Sequence, residues 1–192
     1  FLPQAQDVVR KVSAKLPNLL RLREWASKEL LIRTADSVLL SHFNYLLEVF
    51  GGETRVQVLL QRCQNKIMRA LLGKQLTDRV PVTALLAEVG WDCVPNMVRL
   101  KTLFWVRKID RMRVAPFMAR LLTTGSNKTY NTRRWRLDVP FVPKLLVTAN
   151  CFLHRSLSIY NDFNLYTNGA QMEEYREIIR SKVLSTFPNG NC

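Results

Sequence analysis

Apolar residues recur at steps of three and four along most of the first 122 positions, a spacing that predicts helices. The first is expected over residues 5–17, ending before Pro17, whose ring cannot continue an ordinary helix. Ser27 can cap a second, with Glu29 in its first turn against the positive end of the helix dipole. Its wide apolar face is predicted to hold Leu30, Leu31, Thr34, Val38, Leu39, His42, Tyr45, Leu46 and Val49, and Gly51-Gly52 is expected to stop it. A third helix begins near Thr54, with Val56, Leu59, Leu60, Cys63, Ile67, Ala70 and Leu71 as its buried stripe and Gly73 as its end. On that helix Arg55, Arg62, Lys66 and Arg69 share another face, so they are expected to be exposed.

Further helices are predicted at Val82–Glu88, entered through Pro81, from Pro95 to Arg111, and at Pro116–Leu122. Residues 123–144 carry Thr, Gly, Ser, Asn and Pro and read as loop or extended chain. Residues 145–160 fit either helix or strand, whereas 170–184 place acids early and bases late, as a helix dipole favours. The fold class is therefore mainly α: a helical bundle over residues 1–122, then a basic loop and a C-terminal appendage over 123–192.

Composition adds little to this until charge is counted. The 192 residues are 47% hydrophobic and 23% charged, an ordinary globular balance. Uninterrupted apolar runs are only a few residues, as in Val38-Leu39-Leu40, and fall far short of a membrane span, so no membrane partner is expected. The net charge of +14 favours a polyanionic partner, most often nucleic acid. Eleven Lys or Arg against one acid lie between Arg99 and Arg136, interleaved with Phe104, Trp105, Phe117, Tyr130 and Trp135. Cations among aromatics suit a nucleic-acid backbone and exposed bases. Helical spacing with Leu100 and Leu103 makes Phe104 and Trp105 core instead.

The chemistry of an independent enzyme is not found. The sequence has no G-x-S-x-G, no glycine-rich phosphate loop and no H-E-x-x-H. No adjacent aspartates stand ready to hold two magnesium ions, and Glu173-Glu174 read as complements to a helix dipole. Cys63, Cys93, Cys151 and Cys192 are too far apart for a zinc half-site, and His42 reads as a core or boundary residue. Without a signal peptide at Phe1, the thiols are expected to be reduced and intracellular, with Cys63 as core packing. A chain opening on Phe rather than Met is expected to be cut from something longer.

Five segments stand in an informative order: LLRLREWASKELLIRTADSVLLSHFNYLLEVFGG at 19–52, LLQRCQNKIMRALLG at 59–73, LLAEVGW at 85–91, KTLFWVRKIDRM at 101–112 and YNTR at 130–133. Together they resemble the C-terminal thumb and post-thumb region of non-LTR retrotransposon (jockey-like) reverse transcriptases, over roughly residues 7–161. The chain departs from that pattern at Phe50, where relatives carry Trp, and at IYNDFNL in 159–165, which lacks their proline.

The resemblance implies a thumb-like bundle that grips a template–primer duplex of RNA and DNA beside a catalytic palm. The palm, with its magnesium-binding aspartates, would lie in the polymerase chain upstream of Phe1. Magnesium is thus expected for a parent RNA-directed DNA polymerase, and no cofactor and no catalytic residue for this piece. The nucleic-acid-binding candidates are Arg62, Lys66, Arg69, Lys101, Lys108, Arg111, Arg113, Arg133, Arg134 and Arg136. Their phosphate contacts would position a duplex without reading its sequence. The expected location is nuclear or cytoplasmic. The other reading is a degenerate or reused helical module that binds protein and has no enzymatic activity.

Overall fold

The computed structural model describes residues 1–45, 47–112, 152–163 and 172–188. The fold is mainly α, and among the described residues there is no strand. Two compact units form, one built mainly on Phe1–Met97 and the other on Val98–Phe187. The boundary expected at 122–123, the helix expected at 116–122 and the loop at 123–144 lie outside the described residues.

In the first unit α1 spans Leu2–Arg21 and runs through Pro17 instead of ending before it. Its buried stripe, Ala5, Val8, Val12, Leu16 and Leu19, continues on both sides of the proline and packs along α5 (Thr54–Leu72). Pro17 points to solvent, where its missing N–H leaves no buried group unpaired. Packing of Leu16 and Leu19 outweighs the local preference to stop.

Ser27 caps α2 (Lys28–Ala35) as expected, its Oγ accepting from Leu30 N at 3.3 Å. The apolar face of this region is the expected one only in part: Leu31 and Leu39 are buried as expected, but other members are not. Leu31, Ala35, Leu39, Phe43 and Leu47 are buried, whereas Leu30 is 56% and Tyr45 68% exposed. The buried set recurs every four residues. Each such step overshoots one α-helical turn by about 40°. A wider π turn at Asp36–Leu40 takes up that drift, and it shifts the face by about one residue. The chain continues as α3 (Ser41–Asn44), breaks at the extended Tyr45, and resumes as α4 (Leu47–Phe50) before Gly51-Gly52. His42, on α3, is half-buried, with Nε2 2.7 Å from Lys15 Nζ. Burial first, then the nearby Lys15 and Lys11, hold its pKa below the ordinary imidazole value.

α5 keeps most of its predicted stripe: Val56, Leu60, Cys63, Ile67 and Leu71 are buried, Leu59 and Ala70 are only half-buried, and Gly73 closes the helix in the left-handed conformation. Two glutamines, Gln61 and Gln64, are buried on the same helix. Gln61 Nε2 donates to Gln64 Oε1 and to Asn65 Oδ1, both at 2.9 Å. Gln64 Nε2 donates to the Asp92 carbonyl at 2.9 Å, and Gln61 Oε1 accepts from Val94 N at 2.8 Å. Val94 begins α7 (Val94–Met112), whose first N–H groups have no intrahelical partner. One α5 side chain therefore caps the next long helix. Between them, α6 (Val82–Val89) is entered from Pro81 and ends at left-handed Gly90, which folds Trp91 into the core.

Cys63 is buried, and that burial pushes its thiol up to about 11 despite the neighbouring Lys66, so it is inert packing. Cys93 departs from the reduced state expected of the thiols, because it is disulfide-bonded. Cys151 and Cys192 lie outside the described residues.

The second unit has its own core. Leu100, Leu103 and Val106 of α7 meet Leu157 and Tyr160 of α8 (Phe152–Phe163) and Tyr175, Ile179 and Val183 of α9 (Met172–Thr186). The stretch 145–160, ambiguous in sequence, is helical from Phe152 on. Phe104 packs against this core as expected, and Trp105 is half-buried. Leu39, Leu60, Ile67 and Leu103 are all fully buried, but Leu103 belongs to this second core and not to the first.

Two stability outcomes follow. Leu60→Ala opens a hole in a fully buried site and should cost about 2–5 kcal/mol in denaturant unfolding. An unchanged midpoint would contradict the assigned α5 face. Gln61→Leu keeps the side-chain volume but strands the Val94 N–H and the Gln64 carbonyl oxygen. It should cost about 1–3 kcal/mol, and a stabilised Gln61→Leu variant would show that the amide pair is dispensable.

Candidate nucleic-acid interface

The face of α5 away from the core carries the basic residues. Arg62, Lys66 and Ala70 stand four residues apart and so lie one above another on the helix surface. Asn65 and Arg69 stand one position earlier than Lys66 and Ala70, on the same side. With Lys74 these residues line an open cleft of about 560 Å³. Its lining is mainly apolar, as the aliphatic stems of long cationic side chains and the Ala70 methyl provide.

Lys74 reaches the cleft because of the helix end. Gly73 adopts φ 67°, and the Lys74 N–H turns back to the Arg69 carbonyl at 2.9 Å. A β-carbon at Gly73 would also collide with the Arg23 guanidinium, which lies against this turn. The left-handed φ is what calls for glycine, since the Arg23 guanidinium is the end of a flexible side chain that can shift away. Arg23 thereby places a cation at the negative end of the α5 dipole.

The cations are not equivalent. Arg62 and Lys66 are exposed, as expected. Arg69 is half-buried, because its guanidinium serves the fold. Its Nη1 donates to the Gln75 carbonyl at 3.1 Å and its Nη2 to the Val80 carbonyl at 2.8 Å. Those bonds tie the 73–80 connection to α5. They also orient one edge of the cleft, so Arg69 acts on its shape as well as its charge.

The other predicted candidates fall elsewhere. Lys101 and Lys108 lie on the part of α7 that belongs to the second unit, and both are half-buried. Lys101 has an intramolecular partner, and Lys108 Nζ stands 5.5 Å from the centroid of the Trp105 ring. Arg107 is buried, with its guanidinium 4.6 Å from the centroid of Tyr175. Part of the basic segment is therefore consumed by cation–π packing. The side chain of Arg111, and Arg113, Arg133, Arg134 and Arg136 entirely, lie outside the described residues.

Asn65 and Lys74 are cleft residues that the sequence reading did not name, and Ala70, expected in the buried stripe, is half-buried and lines the cleft instead. Lys74 is eight residues beyond Lys66, so extending the four-residue step past Gly73 would have found it. Among the described residues no three His, Cys, Asp or Glu side chains converge on one point, and no helix is long and apolar enough to cross a membrane. No family model, no curated protein and no solved structure matches the chain.

Proposed function

We propose that the chain binds the phosphate backbone of nucleic acid, with the cleft on α5 as its contact surface. The observation that carries this reading is the convergence of Arg62, Lys66, Arg69 and Lys74 on one cleft, in a chain of net charge +14. Side chains of this kind give affinity through counterion release and carry no base information. The five ordered segments in the sequence extend the proposal. They support a thumb-like piece of an RNA-directed DNA polymerase from a non-LTR retrotransposon, working in the nucleus or cytoplasm on a template–primer duplex of RNA and DNA. The magnesium-holding aspartates would come from a palm carried by the rest of that polymerase.

Such a piece has no nucleotidyl-transfer centre of its own. The 192-residue chain, given primer–template, magnesium and nucleotides, should extend no primer. Template-dependent incorporation above a buffer control would overturn the thumb reading.

The binding outcome is sharper. The logarithm of affinity for duplex DNA should fall linearly with the logarithm of salt, at ~0.9 per neutralised phosphate. Changing Arg62, Lys66 and Lys74 together to Gln should flatten that slope and weaken every sequence alike. Arg69 is kept, because removing it would also release the Gln75 and Val80 carbonyls. Folding should hardly change, since exposed charges contribute little to stability. Equal slopes for variant and wild type would remove the cleft from the account. A helical protein-interaction module would then lead, a reading favoured by the exposed Leu30, Val38 and Tyr45.

A further inference from the structure

Trp25 is 87% exposed, the highest value among the exposed large apolar side chains of the described residues. A tryptophan can bury about 150–250 Å² in a core or interface, so one left in water is unspent contact area. It sits at the end of the short 3₁₀ turn Leu22–Glu24 that links α1 to α2. Leu22, three residues back, is 47% exposed, and residues i and i+3 of such a turn are eclipsed on one side. That spacing puts two exposed apolar side chains on one short stretch, with the Trp25 ring as its platform.

Its surroundings name the ligand. Arg23 lies in the same turn, and its guanidinium rests against Gly73, next to the cleft residue Lys74. Trp25 is two residues further along, at most about 7 Å of chain. Arg21 flanks the platform on one side; Lys28, on the other, is ion-paired with Glu88, and Glu24 is the acid inside the turn, so the cations left for a phosphate are Arg21 and Arg23. An apolar protein partner would meet a cationic rim here. A nucleic-acid strand would meet its complement twice, phosphates on cations and a base on the ring.

We propose that Trp25 is a stacking platform for an unpaired base of a strand whose backbone follows the Arg62–Lys66–Lys74 cleft. This rests on the backbone-binding reading and narrows it. The preferred ligand has single-stranded character, such as a free strand or the overhang of a duplex, because a base held within a duplex cannot offer its face to an external ring. Stacking on an aromatic side chain tolerates any base, so no sequence preference follows.

The test uses three probes: a single-stranded oligodeoxythymidylate, a blunt duplex, and the same duplex with a ten-nucleotide deoxythymidylate overhang. Wild type should bind the overhang duplex more tightly than the blunt one. Trp25→Ala should weaken single-strand and overhang binding by about tenfold and leave blunt-duplex affinity unchanged. Trp25→Phe should retain most of the preference, because it keeps a stacking ring. Unchanged overhang binding in Trp25→Ala, or an equal loss on the blunt duplex, overturns the inference. If Trp25→Ala changes nothing while the Arg62, Lys66 and Lys74 triple variant loses binding, backbone binding stands without the platform. Failure of wild type to bind any of the three probes overturns both.

Discussion

The first unit depends on one buried pair of amides, Gln61 and Gln64 of α5. Each side chain is a donor and an acceptor at once, and both ends are used. The pair holds itself together, takes the Asp92 carbonyl, and supplies the acceptor for Val94 N. Two buried amides without partners would be a liability of a few kcal/mol. With partners they fix the rotation of α5 relative to the turn at Trp91–Val94, which apolar packing alone leaves loose. Leucines at both positions would fill the volume and specify less.

That rotation has a consequence on the other side of the helix. With Val56, Leu60, Ile67, Gln61 and Gln64 directed inward, the four-residue ladder of Arg62, Lys66 and Ala70 has one direction left, outward. The helix end then does the rest. Gly73 permits the reversal that brings Lys74 to the cleft, Arg23 settles on that glycine, and Arg69 reaches back to hold the 73–80 connection. The same short helix end thus joins a cationic cleft to a turn whose next exposed residue is a tryptophan. Mutual repulsion among the cleft cations is tolerated because Arg62, Lys66 and Lys74 are exposed to water and the Arg69 guanidinium is held by the Gln75 and Val80 carbonyls.

Much of this was legible in the sequence, and the losses have identifiable causes. The α5 stripe was readable because it keeps the 3.6-residue period without interruption from Val56 to Leu71. The segment from Ser27 to Phe50 was legible only in part: Leu31 and Leu39 are buried as expected, but a π turn changes the period inside it and leaves Leu30, Val38 and Tyr45 exposed. Pro17 looks like a stop because local sterics disfavour it; only tertiary packing on α5 shows why it is tolerated. Within the site, Arg62 and Lys66 follow from helical geometry. Arg69 looks identical to them in sequence, and its distinct role appears only with the carbonyls of Gln75 and Val80 in place. The amide pair leaves no periodic trace, because glutamines at 61 and 64 read as surface residues until their partners some 30 positions away are seen. Trp25 lies in a connection with no period to place it on either side.

Native-state amide hydrogen exchange at Val94 tests the central dependence most directly. First-turn helix amides lack intrahelical partners and ordinarily exchange at nearly unfolded rates. If Gln61 holds Val94 as described, this amide should be protected to the level of the α5 core amides of Leu60 and Ile67. The protection should vanish in the Gln61→Leu chain. Rapid exchange at Val94 in the wild-type chain, beside a protected α5, would contradict the account.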